Sequence, residues 1–106
     1  MPKEQSNIKE RSRFDIKEPQ MYKVIMHNDD FTTMEFVVKV LKVVFHKDEN
    51  TAHQLMLTVH KADKATIGLY TLDMASSKCD KAMRMAREEG YPFKVTYEPD
   101  EISTQL

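Results

Sequence analysis

Tryptophan is absent from this 106-residue chain, cysteine occurs once and glycine twice, and each scarcity excludes something. Gly68 and Gly90 cannot build G-x-G-x-x-G or a P-loop, so glycine-rich phosphate cradles are ruled out. Cys79 has no partner for an intramolecular disulfide, which fits a reducing compartment, and a cytoplasmic location is expected. Apolar runs such as Val43-Val44-Phe45 fall far short of the roughly 20 residues of a membrane span. The charged start also lacks the apolar stretch of a secretory signal. Neither charge prevails. With 16 Lys+Arg against 17 Asp+Glu the net charge is -1, no cationic field gathers phosphate backbones, and neither nucleic acid nor membrane is an expected partner.

What is present describes one small domain. A chain of this size buries about 60% of its unfolded surface, enough for one core without metal or disulfide but with little room for a deep cleft. A shallow site follows. Residues 1–20 mix Lys and Arg with Asp and Glu around the scattered apolar Met1, Ile8, Phe14 and Ile16, and read as a flexible extension. Composition changes at Met21, so a domain over 21–97 is expected, followed by a short acidic tail over 98–106.

Met21 to His27 has strand composition and ends in the turn residues Asn28-Asp29-Asp30. Thr32-Thr33-Met34-Glu35 has capping-box spacing, with Thr32 as the expected cap of a helix that buries Phe36, Val37, Val40, Leu41, Val44 and Phe45. Asp48 can cap a second helix with Ala52, Leu55, Met56 and Val59 inward, ending near His60 or Lys61. Ala65, Ile67 and Leu69 alternate as the inward residues of a strand. A third helix follows, with Ala75, Cys79, Ala82, Met83 and Ala86 inward, Lys78, Lys81, Arg84 and Arg87 outward, and Gly90 past its end. Phe93, Val95 and Tyr97 mark the last strand. The order β-α-α-β-α-β predicts an α+β two-layer domain, a three-stranded antiparallel sheet packed against three helices.

The Asn28-Asp29-Asp30 cluster lies between a strand end and a helix start, where side chains can converge on a ligand, although such residues are also ordinary turn formers. A metal site from His27, Asp29, Asp30 and His60 has poor spacing, and His53 and His60 stand two helical turns apart. No metal or other cofactor is expected. Cys79 reads as a core residue and no nucleophile signature is present, so an enzyme is not expected. Met34 is distinctive because it falls in a first helical turn directly after the acidic turn. Met56 and His60 share one helix face.

Met21-Tyr22-Lys23-Val24, Asn28-Asp29-Asp30-Phe31-Thr32, Met34-Glu35-Phe36-Val37 and Leu55-Met56-Leu57-Thr58-Val59-His60 together resemble the Clp protease adaptor family, ClpS. Gly68-Leu69-Tyr70-Thr71 and the Lys78 helix extend the resemblance, which runs from about Pro19 to Tyr97. The resemblance implies an adaptor that delivers N-degron proteins, whose first residue is large and hydrophobic (Leu, Phe, Tyr or Trp), to a Clp AAA+ unfoldase and its protease. It implies that Asn28, Asp29 and His60 hold the free α-amino group while Thr32, Met34, Val37, Met56, Val59 and Phe93 line the side-chain pocket. It also implies that Asp73 and Lys78 dock on the N-terminal domain of a ClpA-like or ClpC-like ATPase, with the extension engaging the ATPase pore and the adaptor acting as a monomer. Thr33 stands where Pro is usual in that family, Phe31 where Tyr is common and Phe93 where Leu is common. Met74-Ala75-Ser76-Ser77 lacks the acidic residue often found before the Lys. The family fold also resembles the C-terminal domain of the ribosomal stalk protein, so a non-catalytic interaction module is the alternative.

Overall fold

A computed structural model describes residues 19–101. Most of the expected extension and tail, residues 1–18 and 102–106, lies outside the described residues. The elements run β1 (Tyr22–His27), α1 (Met34–Val43), α2 (Glu49–Ala62), β2 (Lys64–Tyr70), α3 (Leu72–Glu88) and β3 (Lys94–Pro99). The sheet is antiparallel with order β2-β1-β3. This is the α+β arrangement of three strands and three helices that the periodicities predict.

Alternation along β1 sorts its side chains between two faces. Val24 and Met26 are fully buried and join Val40, Leu41, Ala52, Ala75, Cys79 and Ala82 in the core beneath the helices. Lys23, Ile25 and His27 take the other face, where His27 Nε2 lies 2.8 Å from Thr96 Oγ1. Each fully buried Val, Leu or Met contributes about 1.5–3 kcal/mol by area, so this single layer of contacts holds helices to sheet.

The ends of the helices explain why the chain turns where it does. The expected cap of α1 is displaced by one residue: Thr33, not Thr32, has extended backbone angles, and its hydroxyl accepts from the Phe36 amide at 3.1 Å. Thr32 is already committed to Asp29. Asp48 caps α2 by accepting from the Thr51 amide at 2.8 Å. That helix runs past Lys61 to Ala62 and stops at Asp63, whose φ of 76° is left-handed. After α3 the amides of Gly90 and Tyr91 donate to Arg87 O and Ala86 O, the paired bonds of a Schellman ending, with Gly90 at φ 82°.

Strand β2 departs from simple alternation. Val24 pairs with Gly68 but Ile25 pairs with Thr66, so Ile67 is an extra residue, a β-bulge. Beyond the bulge the faces exchange. Ala65 and Ile67 are buried as expected, but Leu69 turns outward beside Lys23 and is 49% exposed, while the half-buried Tyr70 packs against the core. Gly68 makes room for this, because a Cβ there would stand 3.2 Å from the Tyr70 ring. Strand β3 also runs beyond Tyr97 to Pro99, and the Asp100 amide donates to Met21 O at 2.8 Å. Met83 is half-buried against the core rather than fully inside, and Val38 is buried in addition to the expected stripe of α1.

Candidate functional site

The turn between β1 and α1 is built around one carboxylate. Asp29 Oδ1 accepts from the Phe31 amide at 2.8 Å and the Thr32 amide at 2.7 Å, and Oδ2 accepts from the Thr32 hydroxyl at 2.7 Å. A carboxylate has about four lone-pair sites, so one acceptor site remains on Oδ2. Burial alone would raise the Asp29 pKa, but the Thr32 and Phe31 bonds, helped by the Arg87 charge, outweigh it and hold the group below its ordinary 3.8. The stability these bonds contribute is therefore present above about pH 3.8 and is lost as pH falls through the lower folded value.

The Asn28 amide donates to Asp63 O at 2.8 Å, which ties the turn to the end of α2. Two segments far apart in sequence thus meet around a hollow of about 240 Å³ lined by Asn28, Asp29, Asp30, Thr32, Met34, Val37, Met56, Val59 and His60. Val37, Met56 and Val59 are buried and form the apolar side, Met34 stands at 44% exposure, and His60 is exposed with no hydrogen bond among the described residues. The structure brings together Asn28, Asp29, His60, Thr32, Met34, Val37, Met56 and Val59, and adds Asp30. Phe93 is not brought to the hollow. It is 1% exposed in the core, edge-on to Phe36 at 6.0 Å, with its carbonyl accepting from Arg87 at 2.9 Å. Its position directly before β3 gives it an inward direction that spacing alone could not separate from a pocket edge.

Such a hollow offers oxygen and imidazole acceptors on one side and apolar atoms on the other, which suits a cation attached to an aliphatic or aromatic group. Cys79 is fully buried, and burial, with a smaller effect of Asp80, pushes its thiol up to about 11. Among the described residues no three His, Cys, Asp or Glu side chains cluster to hold a metal.

A second hollow of about 410 Å³ adjoins the first, sharing Met34 and Met56 and adding Glu35, Val38, Glu49 and His53. Sequence reasoning missed it. His53 reads as a lone surface histidine, and only the antiparallel approach of α1 and α2 sets it beside Glu35 and Val38.

The two residues expected at a docking surface differ in setting. Asp73 is exposed in the first turn of α3. Lys78, expected outward, is half-buried: its ammonium donates to Val44 O at 2.8 Å, beyond the end of α1, and lies 5.9 Å from the Phe45 ring centroid and 5.7 Å from that of Tyr70. A four-carbon stem lets the charge reach a free carbonyl at a helix C-terminus, which helical spacing does not reveal.

Residues 17–96 match the family model described as ATP-dependent Clp protease adaptor protein ClpS. The ATP-dependent Clp protease adapter protein ClpS of Acetivibrio thermocellus is 44% identical over 97 residues, covering 92% of this chain and 98% of its own. The protein of the same name from Burkholderia cenocepacia is 45% identical over 96 residues, covering 91% and 92%. Among solved structures, Agrobacterium tumefaciens ClpS2 bound to L-phenylalaninamide matches with a TM-score of 0.76 and 38% identity, over 78% of this chain and 100% of that one.

Proposed function

The chain belongs to the ClpS family of ATP-dependent Clp protease adaptors, proteins named as adaptors rather than catalysts, and on that premise we propose that its first hollow reads the amino terminus of substrate proteins. The observation that carries this is the convergence of Asn28, Asp29 and His60 with Met34, Val37, Met56 and Val59 on one small hollow. An α-amino group has a reference pKa of about 7.7 to 8.0, so near neutral pH it is mostly cationic and needs acceptors. Asn28 and Asp29 offer oxygens, and the neutral His60 ring offers one nitrogen. L-Phenylalaninamide, the ligand of the similar ClpS2, has the same two parts, a free amine and a large apolar side chain.

Magnitudes decide why both parts are read. A charge-assisted hydrogen bond contributes about 1.5 to 3 kcal/mol, and burying a Leu or Phe side chain about 1.5 to 3 kcal/mol. Neither reaches the roughly 8 kcal/mol of micromolar binding alone. Leu, Phe, Tyr and Trp are the first residues proposed to be read, each with a side chain large enough to use the apolar side. Delivery to the N-terminal domain of a Clp AAA+ ATPase, ClpA-like or ClpC-like, uses the surface that carries Asp73.

The test is titration with a peptide beginning in free Leu or Phe and with its N-acetylated twin. Only the free peptide should bind. Equal affinity for both would leave a module that grips protein surfaces without reading an amino terminus, as the stalk-like alternative requires.

A further inference from the structure

Methionine is abundant for so short a chain, with eight residues, and burial divides those that are described. Met26 and Met56 are buried at 0% and 7% exposure, Met21, Met83 and Met85 are half-buried, and Met34 and Met74 stand open at 44% and 49%. An oxidant in solution meets the open thioethers first. The chain's one thiol does not compete with them, because the thiolate is the reactive form and Cys79 is fully buried and kept protonated by that burial.

Of the two open methionines only Met34 lines the amino-terminus hollow, where it shares the apolar side with Val37, Met56 and Val59. Those three side chains have no hydrogen-bond donor. A thioether suits such company, since it is apolar and adapts to irregular shapes. A sulfoxide oxygen is a polar acceptor that water satisfies while the hollow is empty. A Leu or Phe side chain covering it would strip that water without replacing the bond, and a buried polar group left unpaired is costly.

We propose that Met34 is an oxidative modification site, at which a peroxide turns the thioether into a sulfoxide and so weakens the hold of the hollow on large hydrophobic first residues, a proposal that rests on the amino-terminus reading above. The sulfur lone pair attacks one oxygen of hydrogen peroxide, and the S–O bond forms as the O–O bond breaks. The transferred oxygen passes its proton to the departing hydroxide, which leaves as water. Sulfur loses two electrons and the peroxide gains them. Methionine sulfoxide reductases reverse the change, so the site is a switch rather than a lesion.

The experiment treats the full chain with dilute hydrogen peroxide and maps sulfoxide at each methionine over time by peptide mass spectrometry. Each sample is titrated with a peptide beginning in free Leu and with its N-acetylated twin. Met34 and Met74 should oxidise well before Met26 and Met56, and protein oxidised at Met34 should bind the free peptide about tenfold more weakly, roughly 1.4 kcal/mol. Reductases for both sulfoxide epimers should restore binding. Under peroxide Met74→Leu should lose affinity as the parent does, whereas Met34→Leu, a swap of similar volume, should keep whatever affinity it starts with. Unchanged affinity with Met34 oxidised, a Met34 that stays reduced while Met74 reacts, or an equal loss in Met34→Leu would each overturn the switch and leave the amino-terminus reading standing. Equal binding of the free and acetylated peptides before any peroxide is added would overturn that reading, and the switch with it.

Discussion

The Asn28 amide and the Asp63 carbonyl are joined at 2.8 Å, and this one backbone bond sets the β1–α1 turn against the end of α2. Because it uses main-chain atoms, it positions Asp29 relative to His60 without engaging either side chain. Asp63 can present that carbonyl because its left-handed conformation ends the helix there.

Thr32 donates its hydroxyl to Asp29 Oδ2, so Thr32→Val should weaken binding of a free-amine peptide by roughly 1 kcal/mol, about fivefold, and raise the Asp29 pKa. Calorimetry and an NMR titration of the carboxyl check the two parts separately. An unchanged Asp29 titration would show that this bond does not hold the charge.

Met34 is half in solvent and borders both hollows. Met34→Ala should alter the ranking of hydrophobic first residues more than it alters the ratio of free to acetylated peptide. Competition binding with peptides starting in Leu, Phe, Tyr and Trp measures this, and the opposite pattern would misplace the apolar side of the site.

Lys78→Met removes the donor to Val44 O and should destabilise the domain by about 1 kcal/mol, read as a lower Tm. Asp73→Asn, at an exposed position, should leave Tm unchanged but weaken binding to the isolated N-terminal domain of the Clp ATPase. A Tm unaffected by Lys78→Met would return Lys78 to the set of free surface charges.

His27 has its pKa lowered from 6.5, first by burial and then by Lys94 and Lys64, with Asp63 and Glu98 opposing. A group whose protonated form is disfavoured in the folded state contributes stability above its unfolded value. That stability diminishes as pH falls below about 6.5 toward the folded pKa. His27→Gln, compared with the parent by denaturant melts at several pH values, should flatten this slope.

Cys79 is fully buried with its pKa near 11, so iodoacetamide should modify it only at the rate at which the domain opens. Denaturant should raise that rate steeply. Fast labelling of the native protein would place the thiol outside the core.

Helical periods were the most legible feature, because Val40, Leu41, Ala52, Met56, Ala75 and Ala82 recur at spacings that only one face of a helix satisfies. What escaped was decided by competition between like groups. Thr32 and Thr33 offer the same hydroxyl, and which one caps α1 depends on Asp29 having taken the other. The inward place of Tyr70 depends on a bulge that leaves no mark in the alternation of Ala65, Ile67 and Leu69. The residues of the first hollow were legible through their resemblance to a family, whereas Glu35 and His53 meet only because α1 and α2 lie side by side.

The bulge in β2 and the proline that ends β3 share a consequence for a protein that handles other polypeptides. Both strands are outer strands of a three-stranded sheet, and an outer strand can recruit a foreign one through its unpaired peptide groups. A doubled residue at Ile67 bends one rim out of register, and Pro99 deletes an amide hydrogen from the other. Neither margin of the sheet is therefore a regular template on which a foreign strand could add.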